Sequence, residues 1–326
     1  MHRPPRRPLL SRRRALGMGL ALGLPALARA ESYPARVIRI IVPYPAGGGY
    51  DTTARLLADG LSRELGQPVV IENRSGANGT LGMEAAWRAA PDGYTLALSG
   101  AAVLTTVPHL RRLAYEPLGF AHIARLVRMP YVIAVRRDLP ARTLPEFIAL
   151  ARQNPLTYGA TGAGSSQHLA GELFNQTAGT RLTLVPYRGT APALNDLAAG
   201  VVDASVADVS ALELIRGGQI RGMAVIFPER WSLLPDVPAV AEVVPDCVAE
   251  NWYGLAAPPG TPADIVGLLS ERIERLFTDP ALRRRYDEAG LHPALLSGPP
   301  LQAFIRADYD TWGRVVQRGD IKLDAG

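Results

Sequence analysis

The sequence predicts an α/β protein built as two lobes, and three features predict it. At 326 residues the chain is longer than one hydrophobic core usually supports, so two compact lobes are expected. From residue 36 short β-branched runs alternate with stretches whose apolar residues recur at helical spacing, the pattern of helices packed on largely parallel sheets. Several of the strands run into Gly-rich or Ser-rich loops that open helices.

The leader is set apart by its charge. Its first thirty residues hold seven Arg and no acid, so of the 35 basic residues 28 remain against 30 acidic ones. The remainder is near neutral, and the high pI implies no nucleic-acid partner, because no basic stripe interleaved with aromatics exists beyond residue 30. Residues 1–30 read as a signal peptide: an Arg-rich start through Arg14, an apolar stretch Ala15 to Leu27 and the small-residue end Ala28-Arg29-Ala30, with cleavage before Glu31. Ser11-Arg12-Arg13-Arg14-Ala15-Leu16 also fits the twin-arginine export pattern, with an ordinary secretory leader as the alternative. The apolar stretch is too short to span a membrane, which needs about 20 residues. Cys247 is the only cysteine, so no internal disulfide can form.

Val37 to Val42 is the first expected strand. After a Pro/Gly loop, Ala54, Leu57, Ala58, Leu61 and Leu65 form one apolar helical stripe. Strands Pro68 to Glu72 and Thr95 to Ser99 follow, and residues 31–130 make the first part of lobe 1. Lobe 2, 131–251, opens with strand Tyr131 to Val135 and helix Leu144 to Gln153, whose start carries capping-box spacing at Thr143 and Glu146. It continues through strand Leu156 to Ala160, helix Ser166 to Ala178, strand Thr183 to Tyr187, helix Ala191 to Ala199, and strands Ala204 to Ala207 and Gly222 to Ile226. Trp252 to Ala257 reads as a strand, Thr261-Pro262 as a cap and first-turn proline, and the rest as almost wholly helical. These last residues, 252–326, return to cover lobe 1, so the chain crosses between lobes twice, near 130 and near 250, and a hinge results.

In open α/β sheets ligands bind beyond the carboxyl ends of the strands, so the loops there are the candidate site. Pro43 to Asp51 has the glycines and the free helix-start amides of an anion cradle, centred on Ala46, Gly47, Gly48 and Asp51. Read plainly, it is a tight turn with Asp51 as N-cap. A dinucleotide fingerprint fails because Thr52 stands where a glycine is required. Thr161, Gly164, Ser165 and Ser166 form the equivalent loop of lobe 2, where Ser165 also suits an N-cap. A hydrolase with Ser165 or Ser166 as nucleophile and His168 as base lacks the G-x-S-x-G elbow. Ser99 ends a strand at the same rim, Arg188 can pair with a carboxylate or face solvent, and Asp203 and Asp208 flank one strand at its opposite ends, with Asp208 at the cleft. The five histidines and Cys247 show no metal-ligand spacing, and no cofactor is expected.

Many short segments in order then carry a resemblance. They include Pro45-Ala46-Gly47-Gly48-Gly49-Tyr50-Asp51, Leu65-Gly66-Gln67-Pro68-Val69-Val70-Ile71-Glu72-Asn73-Arg74, Pro91-Asp92-Gly93-Tyr94-Thr95-Leu96, Val185-Pro186-Tyr187-Arg188-Gly189-Thr190 and Trp252-Tyr253-Gly254-Leu255. The chain resembles the Bug family, the receptor components of tripartite tricarboxylate transporters. That resemblance implies a periplasmic binding protein of the type II-like kind, with two crossing hinge strands and a cleft between lobes. It implies a small carboxylate held by backbone amides and hydroxyls, carried over to Ala46, Gly47, Gly48, Asp51, Thr161, Gly164, Ser165 and Ser166. It also implies membrane transporter subunits as partners, with a sensory partner as the alternative, and no enzymatic activity; a monomer is the default. Ser99-Gly100-Ala101-Ala102 and Ala207-Asp208-Val209 depart from the family pattern, which bears on the ligand rather than the fold.

Overall fold

Ile38, Ile40, Ile41 and Val42 are buried in β1 (Ile38–Val42) while Arg39 stays exposed, so the first strand sits inside a sheet with both faces covered. The computed structural model describes residues 33–321; the signal-peptide and export readings lie outside the described residues. From β1 the chain runs through α1 (Gly49–Leu65), β2 (Val69–Asn73), α2 (Thr80–Trp87), β3 (Thr95–Gly100) and β4 (Ala121–Met129). Only Pro130 separates β4 from β5 (Tyr131–Arg136), which belongs to a second sheet. That sheet is completed through α3 (Leu144–Gln153), β6 (Thr157–Thr161), α4 (Ser166–Ala178), β7 (Thr183–Tyr187), α5 (Thr190–Ala198), β8 (Ala204–Ala207), α6 (Leu212–Arg216) and β9 (Ile220–Ile226). The chain returns to the first sheet in β10 (Asn251–Ala257), followed by α7 (Ala263–Leu276), α8 (Pro280–Glu288), β11 (His292–Ser297) and α9 (Gly298–Arg318).

The sheet orders are β11-β4-β10-β3-β1-β2 and β7-β6-β8-β5-β9, which gives two lobes joined by two crossings. Both sheets are mixed rather than largely parallel: β10 runs antiparallel to β3 and β4, and β5 antiparallel to β8 and β9. The crossings cause this, since a strand that arrives from the other lobe enters against the βαβ direction. Two strands are absent from the sequence reading. In β4, His122, Arg125 and Arg128 interrupt the apolar run, and in β11 Pro293 removes a ladder donor, which an edge strand tolerates. Thr261 does not cap α7; its hydroxyl donates to Pro258 O at 2.8 Å, and Pro262 precedes the first turn. The capping box of α3 is displaced by one residue: Thr143 Oγ1 accepts from Glu146 N, but Glu146 accepts from Arg142 N at 2.7 Å.

The β4 arginines are held at the crossings. Arg125 and Arg128 both pair with Glu250, which is 7% exposed and immediately precedes β10, and Arg128 also bonds Glu229 of the second lobe. Each guanidinium covers a ring, Arg125 that of Phe304 and Arg128 that of Phe227, both at 4.6 Å. Helix α9 spans the same junction. Leu301 and Ile305 pack into the first-sheet core with Trp252, whereas Trp312, Val315 and Val316 pack into the second-sheet core with Tyr131 and Phe174.

Between those two halves of α9, Asp308 accepts from Thr105 Oγ1 at 2.7 Å and Trp252 Nε1 at 2.9 Å, and burial pushes its carboxyl up to about 6. An acid raised by folding binds more protons in the native state, so its effect is to lower stability as pH rises from near 3.8 through about 6. Urea unfolding from pH 4 to pH 7 should therefore show the wild type losing roughly 2–3 kcal/mol relative to Asp308→Asn. Parallel curves for the two proteins would show that Asp308 is already ionised below this window.

Candidate functional site

The loop after β1 ends in Gly48, the N-cap of α1, and no side chain caps that helix. Ala46, Gly47, Gly48 and Gly49 are exposed, so the first amides of α1 face outward at the positive end of a 17-residue helix. Gly47 holds φ at +89°, where only glycine is unstrained. Asp51 lies in the first helical turn rather than at the cap and is 3% exposed. Its carboxylate accepts from Gly47 N (2.9 Å), Arg55 Nε (2.8 Å) and Asn73 Nδ2 (3.0 Å). Asn73 donates as well to Tyr44 O at 3.1 Å, so one side chain at the end of β2 fastens both ends of the loop.

The second loop follows β6. Ser165 caps α4, its Oγ accepting from His168 N at 3.1 Å, and Gly164 N donates to His168 Nδ1 at 2.9 Å. The imidazole nitrogen nearest the loop is thus an acceptor already in use, and burial lowers the histidine's pKa, which keeps it neutral. A serine hydroxyl accepting a backbone N–H, with no imidazole nitrogen bonded to it, is not an activated nucleophile. Ser166, half-buried, opens the helix. Gln167, which the sequence reading passed over, ties three strand ends together. Its Oε1 accepts from Thr161 N (3.1 Å) and Thr161 Oγ1 (2.7 Å), while Nε2 donates to Thr190 Oγ1 (3.0 Å) and reaches Asp208 Oδ2 (3.5 Å). The signal was its position, two residues beyond the cap at a strand-to-helix junction.

Thr161 and Asp208 are therefore joined through Gln167, Gly164 and Ser165 meet at His168, and Gly47 is bonded to Asp51. Asp208 also accepts from Ser210 N at 3.0 Å, and Val209 beside it meets the turn at Gly290 of the first lobe, where an added Cβ would lie 3.0 Å from Val209. Ser99 is 2% exposed within β3, opposite Gly254 of β10, so it lies in the sheet beneath the loops. Arg188 is exposed and has no ion pair among the described residues. Asp203 sits at the other end of β8, bonded to Arg136 and Thr157. Among the described residues no His/Cys/Asp/Glu group could hold a metal, and no helix is long and apolar enough to cross a membrane.

The three donors on Asp51, with Arg55 the strongest influence, hold its carboxyl down to about 2. A lowered acid contributes stability above its unfolded value near 3.8 and loses it as pH falls toward 2. Asp51→Asn should cost about 2 kcal/mol at pH 7, with the difference from wild type in urea unfolding shrinking as pH falls below about 4 and disappearing only near pH 2. An equal deficit at every pH would mean that shape, not charge, is what Asp51 supplies.

The comparisons with known proteins bear on this geometry. Residues 53–321 match the model of the tripartite tricarboxylate transporter family receptor. Protein BugT of Bordetella pertussis is 34% identical over 310 residues, covering 92% of this chain and 94% of that protein. Among solved structures, an R. palustris protein with adipate has TM-score 0.77 at 33% identity, covering 89% of this chain and 99% of its own. MatC from Rhodopseudomonas palustris with bound malate has TM-score 0.71 at 32% identity, covering 87% and 100%. The fold, its two sheets and the family match agree, and the chain belongs to the tripartite tricarboxylate transporter family receptors: it is a periplasmic solute-binding receptor and not an enzyme.

Proposed function

We propose that the receptor captures a small carboxylate between its two lobes, with the amides of Gly48 and Gly49 on one side and Thr161, Gly164, Ser165 and Ser166 on the other, and presents it to membrane subunits of the transporter. The observation that carries this reading is the pair of helix starts, α1 and α4, each opened by a small-residue loop at the carboxyl end of a strand. Arg55, in the second turn of α1, is taken up by Asp51, so an incoming carboxylate meets amides and hydroxyls rather than a charged clamp. The adipate and malate bound by the two related structures are small carboxylates of the expected kind.

In this reading lobe 1 comprises 31–130 and 252–326, with the C-terminal half of α9 packed into the core of lobe 2, and lobe 2 comprises 131–251. The mature chain begins at Glu31 after removal of the signal peptide, travels by the twin-arginine route and acts as a monomer. Asp51 shapes the first loop, Ser99 supports it from the sheet, Asp208 holds the second loop through Gln167, and Arg188 lies at the outer rim. Ligand contacts made by both lobes favour the closed form, which the membrane partner distinguishes from the open one.

Thermal unfolding of the mature protein against di- and tricarboxylates, amino acids and aromatic acids tests this. One carboxylate class should raise Tm, with about 2.7 kcal/mol of stabilisation at a hundredfold excess over Kd. Gly48→Val should leave the unliganded Tm within a few degrees, since the nearest atom to an added Cβ is Pro45 O at 3.9 Å, yet weaken binding by roughly tenfold or more. No shift with any acid, or full affinity in Gly48→Val, would contradict the proposed site.

A further inference from the structure

The lobes also approach one another where no strand crosses, at Val209 and Gly290. Val209 opens the short turn after β8 and stands next to Asp208. Gly290 lies between α8 and β11 with φ at +75°, a conformation in which L side chains are strained. A Cβ added at Gly290 would sit 3.0 Å from both Cβ and Cγ1 of Val209 and 3.4 Å from Cγ2. Carbon atoms prefer about 3.5–4.0 Å, and the Cβ of Val209 is fixed to its backbone, so no change of rotamer makes room.

Both partners are held firmly. On the second lobe, Asp208 accepts from Ser210 N at 3.0 Å and from Ser210 Oγ at 2.6 Å, and Ala211 N donates back to Asp208 O at 3.2 Å. Ala211 and Leu212 are buried in the second-sheet core. On the first lobe, Gly290 N donates to Asp287 O and Leu291 N to Tyr286 O, both at 2.9 Å, and Leu291 is buried. The hydroxyl of Tyr286, a fully buried residue, donates to Thr53 O at 3.2 Å, and Thr53 Oγ1 donates to Gly49 O at 2.8 Å. The turn at Gly290 is thus fastened to the first residue of α1. Val209 is fastened to the second loop, because Gln167 reaches Asp208 Oδ2 at 3.5 Å.

We infer that Val209 and the Gly290 turn are a bearing surface between the lobes, a positioning pair that fixes how far apart the two helix starts stand around the solute. The inference rests on the carboxylate-receptor reading above and concerns the spacing of that site, not the identity of its ligand. Glycine at 290 leaves the lobes at contact distance. A side chain there is a wedge that carries α1 and the Ser165 loop apart, so that one carboxylate is no longer reached from both sides at hydrogen-bond length. The pair acts through the helix starts and not by touching the solute.

Calorimetric titration of the mature protein with adipate, with malate and with the acid that raises Tm most tests this, in a double-mutant cycle of Gly290→Ala and Val209→Gly. Gly290→Ala should weaken binding about tenfold beside Val209 but less than about twofold beside Val209→Gly, which removes all three crowding atoms. Gly260→Ala is the control for backbone strain alone. Its φ is +82° and nothing lies within 4 Å of the added Cβ, so it should lower the unliganded Tm and leave affinity as in wild type. Val209→Phe supplies a wedge from the other lobe, at a residue without left-handed backbone, and should weaken binding likewise even where Gly290→Ala fails to fold. Unchanged or tighter binding in Gly290→Ala and Val209→Phe overturns this inference alone, as does an equal loss from Gly290→Ala in both backgrounds. Wild-type protein that binds no carboxylate overturns the proposed function and this inference with it.

Discussion

The first amides of an α-helix have no partner within it, and this fold places two such helix starts at strand ends in different lobes. Side chains around them hold both starts in place. At α1 the capping role that a side chain would ordinarily fill is left open: Gly48 stands at the cap, and Asp51 turns its carboxylate back to Gly47, Arg55 and Asn73. At α4 the serine cap takes only His168 N, Gly164 N goes to the His168 ring, and Thr161, Thr190 and Asp208 are drawn together by Gln167. A charged clamp would bind an anion more strongly but would pair with the local carboxylates when empty. Amide and hydroxyl donors avoid that competition and release the solute more easily.

The polar groups at the crossings divide into a buried part and an exposed part. Arg125 and Glu250 are both largely buried beside β4 and β10, where burial pushes the carboxyl up and the guanidinium down while their attraction opposes both shifts. Removing either partner would strand a buried charge. Arg128 reaches from the same strand to Glu229 of the second lobe, whose side chain is 62% exposed and easily rehydrated. Helix α9, with Trp312 in one core and Ile305 in the other, ties the lobes on a third path.

Much of this was legible in the sequence, for identifiable reasons. Helices α3 and α4 and strands β7 and β8 match their expected bounds, because capping residues and glycines punctuate clean periodic runs. The loops at 43–51 and 161–168 were legible as helix starts after strands. What remained hidden depends on long-range partners. Strand β4 carries two arginines whose satisfaction by Glu250, Glu229 and aromatic faces cannot be read locally, and β11 contains a proline that only an edge position permits. Asp51 looked like a cap because two of its partners, Gly47 and Asn73 at the end of β2, lie outside its own helix. The role of Gln167 appears only when three strand ends are assembled in space.

The central claim is that both helix starts hold the solute, and amide chemical shifts report this directly. In a dicarboxylate titration of the ¹⁵N-labelled mature protein, the account predicts that the amides of Gly48, Gly49, Ser166 and Gln167 all move, saturating at one common ligand concentration. Shifts confined to one of the two loops, or centred on other residues while both loops stay still, would contradict it.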